Sequence, residues 1–317
     1  MLPWCILLMA VVPVVADPLA TTYAIHSSCS PYPAVLQAVT EAIKMASLAS
    51  QHLEAEDDWE KYDTFGLGAA FRLVWNIADR DDYEVALDQV STIFGSIAET
   101  RPGDSFSGAD IHIYCDNDER WKLAKDRTAL GPLMQGDPAP LPNSREHPDQ
   151  QIWVDNTSGV YHIGIPACFY DTTAVTYTKA IRSPFHSRPP ARRAAITICN
   201  DGLKRYSTLD GYIDIKTGID LSKIGVGAVS VFLSHTILHE LTHTLPYEVN
   251  DDEDNPYGWE HSIQKHTDAA LDNADNYAYF GALALLFEKG YMLTPDAIGA
   301  EMGVLVQRPR ERNLSPV

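Results

Sequence analysis

The 317-residue chain is short of positive charge: 24 lysines and arginines stand against 43 aspartates and glutamates, a formal net charge of −19. That deficit excludes nucleic acid or an anionic membrane surface as the main partner, because like charges repel, and it favours basic peptides instead. Long apolar runs are also missing. Beyond the first residues nothing is long and uncharged enough to span a bilayer, and 281–287 reads as a short buried helical stretch. Cysteine is scarce, with 5 in all and no Cys-x-x-Cys spacing, which argues against a cysteine-ligated zinc site. There is no internal repeat and no clear second domain.

What is present at the start is an apolar run ending in Val14-Val15-Ala16. It reads as a signal peptide over 1–16, unusual in having no lysine or arginine before the apolar run. Residues 17–306 are then expected to form one secreted, extracellular domain, with a tail at 307–317. Such a body is large enough to bury a core without covalent help. Removing Cys5 leaves Cys29, Cys115, Cys168 and Cys199, which in an oxidising compartment allow three pairings. Asn156-Thr-Ser158 is a glycosylation sequon in a polar loop; a second, at Asn313, is followed by proline and is the weaker one.

The chemistry is concentrated in His239-Glu240-Leu241-Thr242-His243. On a helix the two histidines fall at i and i+4, one turn apart on one face, so both rings reach a single metal ion. Glu240 is rotated off that axis and points beside the metal, where a carboxylate can take a proton from water and pass it to a leaving amine. Ile237, Leu238 and Leu241 continue a buried helical pattern that stops at Leu245-Pro246. His235, one turn earlier, reads as packing or as support behind the ligands. Two histidines do not complete a tetrahedral site, so a third ligand must follow. Asp254, in Asp254-Asn-Pro-Tyr257-Gly258, is the first candidate; Asp251, Asp252, Glu253, Asp272 and Asp275 compete with it.

These residues carry a resemblance. The chain resembles the fungal aspzincins, the deuterolysin and lysine-specific metalloendopeptidase family, at His-Glu-x-x-His, at Asp-x-x-Tyr-Gly and at Asn273-Ala-Asp275-Asn-Tyr277. Cys29 at the head of a long helical run, Phe65-Gly66 and Ile196-Thr-Ile-Cys199 extend the likeness over about 27–290. Glu253 and its acidic neighbours replace the family's Gly-Thr before the ligand aspartate, and the gap from the second histidine is slightly longer. The resemblance implies an α+β zincin fold and a zinc endopeptidase holding one Zn2+ ion on His239, His243 and Asp254. Glu240 would be general base and acid, and Tyr257 would stabilise the oxyanion. An aspartate ligand suits that chemistry, since it partly offsets the dication yet leaves acidity enough to bring bound water toward a pKa of ~7. Resemblance and chain order favour pairing Cys29 with Cys115 and Cys168 with Cys199.

In lysine-specific members the Asn-Ala-Asp-x-Tyr element continues with glutamate, and the two acids receive a lysine side chain. Here Asp275 is kept as the substrate-binding candidate while Ala278 takes the glutamate's place. A bias toward basic substrates without strict lysine specificity is therefore expected. The partners expected are peptides or proteins as substrates, acted on by a monomer. A non-catalytic zinc-binding or zinc-scavenging protein on the same fold is the rival reading, and Glu240 speaks against it, because a pure metal binder needs no carboxylate there.

Periodicity predicts helices over 33–56, 83–100, 262–271 and 274–289, and strands over 110–115, 151–154, 160–165 and 195–199. Pro-rich loops at 131–142 and 183–190 lie between them. The order is helices, a small sheet, the His-bearing helix, then helices again, with substrate expected along the sheet edge.

Overall fold

A computed structural model describes residues 20–55, 66–124, 151–169, 172–178, 194–214, 225–244, 249–251 and 257–308. Its axis is helix α8 (Ala274–Glu288), whose residues 274–286 are all buried. A helix apolar on every side can only be central. Against it pack α1 (Ala34–Ala55), α2 (Leu67–Val74) and α5 (Leu233–Thr242), while α3 (Arg80–Ala98) closes over α1. Phe280 of α8 meets Phe71, Trp75 and Phe94 at ring-centroid distances of 5.6, 4.9 and 5.9 Å, a tilted aromatic core that locks α2 and α3 onto α8. One turn of α8 must be bare. A Cβ on Gly281 would overlap Leu238 Cδ2 of α5 and stand 3.4 Å from Met45 Cβ of α1, so the glycine lets the helices close up.

The other layer is a five-stranded sheet. Strands β1 (Thr22–Ile25), β2 (Arg101–Pro102), β3 (Ile111–Tyr114), β7 (Ala174–Tyr177) and β8 (Ala194–Ile198) lie in the order β2-β1-β3-β8-β7. All neighbours are parallel except β7, which pairs antiparallel with β8 and forms the edge nearest α5. Every residue of β8 is buried, as a strand covered on both faces requires. A three-stranded antiparallel sheet, β4 (Lys122–Leu123), β5 (Ile152–Asp155) and β6 (Val160–Ile163), stands beside it. Tyr114, Trp121, Val160, Tyr177 and Ala195 fill the joint between the two. Short helices α4 (Leu209–Asp214), α6 (Trp259–Gln264), α7 (Thr267–Leu271) and α9 (Ala297–Glu301), and the ribbon of β9 (Tyr291–Leu293) with β10 (Leu305–Gln307), complete the chain.

The class is mixed α and β, compatible with the α+β expectation. The expected strands appear as β3, β5, β6 and β8, and the expected helices as α1, α3 and α8 with small shifts of boundary. The stretch expected as one helix over 262–271 is instead α6 and α7, because Lys265 turns to extended backbone (ψ 148°) and its carbonyl accepts from Asn76 Nδ2. The run into α5, residues 226–231, is a 3₁₀ turn that precedes the helix proper. Cys29 is bonded to Cys115 and Cys168 to Cys199, as expected. No helix of the described residues is long and apolar enough to cross a membrane. The first sixteen residues and most of the tail lie outside the described residues.

Candidate metal centre

Every residue of α5 is buried, so the helix presents its histidines into an enclosed space. His239 lies in its last turn, and His243 caps it with helical backbone (φ −68°, ψ −19°), which keeps the i, i+4 relation intact. The two rings stand 5.0 Å apart. Each has its Nδ1 spoken for: His239 Nδ1 donates to Asp275 Oδ1 at 3.2 Å, and His243 Nδ1 donates to the Val249 carbonyl at 2.5 Å. These partners fix ring orientation and leave both Nε2 atoms as the lone-pair side, the arrangement metal-binding histidines use.

Both Nε2 atoms face Asp251. His239 Nε2 is 3.3 Å from its Oδ1 and His243 Nε2 is 3.8 Å from its Oδ2. One ligand atom from each of the three residues lies within 4.8 Å of the others. A tetrahedral zinc with ligands at about 2.1 Å needs those atoms about 3.4 Å apart, so small side-chain movements suffice. Asp251 Oδ1 is buried and makes no hydrogen bond. Side chains converging in this way could hold a cation, and the donor set of two imidazoles and a carboxylate fits zinc.

The electrostatics point the same way. Burial works against a charged His239, but the Asp251 and Asp275 carboxylates on either side outweigh it and raise its pKa well above the usual value. Burial likewise works against the charge on Asp251 and on Asp275, yet contact with His239 leaves both below the ordinary carboxylate range. His235, one turn back, is different. It packs edge-on against Tyr279 at 4.7 Å, and burial lowers its pKa to about 4, so it stays neutral.

Glu240 is buried beside the cluster, and Thr176 Oγ1 of β7 donates to its Oε2 at 2.7 Å. Tyr257 is 60% exposed, its ring 5.8 Å from that of His239 and its hydroxyl donating to Asp251 Oδ2 at 3.1 Å. The structure thus brings together His239, Glu240, His243 and Tyr257. Asp254 lies outside the described residues, and the carboxylate found against the histidines is that of Asp251, three positions earlier and among its sequence competitors. Asp272 is turned away to Asn250.

Asp275 occupies a different place from the one the substrate reading gave it. It is 5% exposed, with Oδ1 taken by His239 and Oδ2 accepting from the Gly258 backbone at 2.7 Å, so both oxygens are spent on holding the site. Ala278 is fully buried in α8. Asn156 is exposed at the turn between β5 and β6. Sequence reasoning did not find β7 or Thr176. A four-residue Ala-Val-Thr-Tyr strand beside a Pro-rich stretch carries little periodicity, and the one available signal was its adjacent β-branched pair, Val175 and Thr176, followed by Tyr177. Comparison with protein-family models and with curated proteins finds no match.

Proposed function

We propose that the chain is a secreted zinc-dependent endopeptidase of zincin type, resembling the aspzincins. The observation that carries this reading is the convergence of His239 Nε2, His243 Nε2 and Asp251 on one point, with the Glu240 carboxylate one residue beyond the first ligand. The two histidines and one carboxylate of the acidic run 251–254 would hold the ion. When bound, zinc lowers the pKa of water and polarises the substrate carbonyl. Glu240 takes the proton from the attacking water and delivers it to the amine nitrogen as the peptide bond breaks. Tyr257, exposed at the mouth of the cluster, donates its hydroxyl to the oxyanion.

Strand β7 supports the geometry of substrate binding: it is an edge strand next to α5, and an extended peptide can add to such an edge with its backbone beside Glu240. The preference for basic substrates rests on the net charge of −19 and the acidic run at 251–254. The two disulfides support secretion, because such bonds persist in oxidising compartments.

The test is cleavage of a peptide library by the purified protein, with and without a zinc chelator, read by mass spectrometry. Glu240→Gln should keep its zinc and its fold and lose hydrolysis by about 10²–10⁴-fold or more, since the shape is preserved and the proton transfer is not. Zinc in the wild-type protein with no cleavage of any peptide would leave the non-catalytic zinc binder as the surviving reading.

A further inference from the structure

The antiparallel edge strand β7 holds the catalytic carboxylate on one face and is itself fastened on the other. Side chains alternate along a strand, so Ala174 and Thr176 point to the α5 side while Val175 and Tyr177 point to the second sheet. On the α5 side, Thr176 Oγ1 lies 2.7 Å from Glu240 Oε2 and 3.1 Å from the Glu240 carbonyl. A hydroxyl has one proton, and the carboxylate is the nearer and more basic acceptor. Among the described residues no other side chain or backbone group donates to Glu240.

On the opposite face, Tyr177 OH donates to Asp118 Oδ2 at 2.6 Å and accepts from the Ala167 amide at 3.0 Å. Asp118 is fully buried. Its Oδ2 also accepts from Cys168 N, and its Oδ1 accepts from Trp121 Nε1 and Thr197 Oγ1 at 2.9 and 2.7 Å. Arg120 lies against the same group, pairing with Asp116 and Asp155 at 2.7 Å each. The Cys168–Cys199 bridge ties the segment before β7 to the end of β8. A slip of β7 by one residue would break the Tyr177 anchor and put Thr176 on the wrong face together. Register and carboxylate position are therefore one constraint.

We infer that Thr176 is a positioning residue: its hydroxyl fixes one oxygen of Glu240 and so aims the other at the attacking water. This rests on the peptidase reading above. A carboxylate next to a metal has two rotamer choices, reaching across to the ion or standing beside it, and a hydroxyl on the far oxygen selects the second. The work of Thr176 is thus to keep Glu240 a proton carrier and prevent it becoming a ligand.

Zinc-loaded wild type, Thr176→Val and Thr176→Ser are compared for zinc content, KM, kcat and thermal midpoint. Thr176→Val keeps the shape and should retain zinc and KM while kcat falls roughly 10- to 100-fold, a loss of aim and not of binding. Thr176→Ser keeps the hydroxyl and should restore kcat to within about threefold. Equal losses in the serine and valine variants would overturn the inference, because packing and not the hydroxyl would then be responsible. Full kcat in Thr176→Val would overturn it also. A thermal cycle with Glu240→Ala separates this inference from the peptidase reading. Thr176→Val should lower the midpoint by about 2–4 °C in the wild-type background and hardly at all without the carboxylate. An inactive wild type sinks the peptidase reading, and additive shifts in that cycle sink the Thr176–Glu240 link whether or not the protein cleaves peptides.

Discussion

Asp118, buried beneath β7, and Asp251, part-exposed beside α5, both sit among polar neighbours, and they differ in who completes them. The Asp118 carboxylate accepts five hydrogen bonds, from Trp121, Cys168, Tyr177, Thr197 and the Arg120 guanidinium, with all the compensating groups supplied by the chain. Burial works against Arg120's charge, yet its aspartate neighbours raise its pKa further. Among the described residues, Asp251 has Tyr257 on one oxygen and the His239 Nε2 at 3.3 Å from the other. A charge cluster balanced from within is architecture; a cluster of two imidazoles and a carboxylate that is not so balanced could hold an ion from outside.

That contrast is broken most directly at the open cluster. Asp251→Ala should abolish stoichiometric zinc by elemental analysis with little change in folding, while Asp254→Ala, assayed in parallel, tests the ligand that the resemblance implies. Zinc retained in the first variant and lost in the second would move the third ligand to Asp254. At the closed cluster the order of effects reverses. Arg120→Met leaves three carboxylates without their cation and should cost about 3–5 kcal/mol in urea unfolding, with zinc stoichiometry intact in whatever protein remains folded.

How far this contrast was legible in the sequence depends on the spacing of the partners. His239, Glu240 and His243 are read at once, because a helix converts i and i+4 into one face. The long strands and helices that carry them were legible for the same reason. Asp251 was legible only as one of several acidic candidates, and Asp118 not at all, since its role depends on groups brought from distant parts of the chain: it joins Trp121, Cys168, Tyr177 and Thr197. The cysteine pairs came from resemblance and chain order, not from any local pattern. Asp275 was legible as a candidate, but its contact with His239 was not, because only the packing of α8 on α5 brings the two together.

The comparison sharpens at that residue. Asp275→Asn should weaken zinc binding about 10- to 100-fold in competition with a chelator, by loosening the orientation and tautomer of His239. Unchanged zinc affinity with an altered cleavage preference would return Asp275 to the substrate. The smallest effect belongs to a charge that water already serves. Asp210 lies between Lys44, at 2.6 Å, and Lys289, and although burial acts the other way, these ammonium groups hold its pKa below the usual value. A depressed carboxylate stabilises the fold above its unfolded pKa of about 3.9 and loses that contribution as pH falls through the folded value. Asp210→Asn should therefore cost at most about 1 kcal/mol near neutral pH, and the gap from wild type should close in acid.

The bare turn at Gly281 gives the metal centre its ruler. Leu238, which occupies the space where a side chain at 281 would be, is the residue immediately before His239. The separation between the two helices, and with it the reach from Asp275 to the His239 ring, is thus gauged by a hydrophobic contact with no polar atom in it. A drift of the core along this seam would move the Asp275 carboxylate relative to the His239 ring, so packing and the geometry of the site rest on the same atoms.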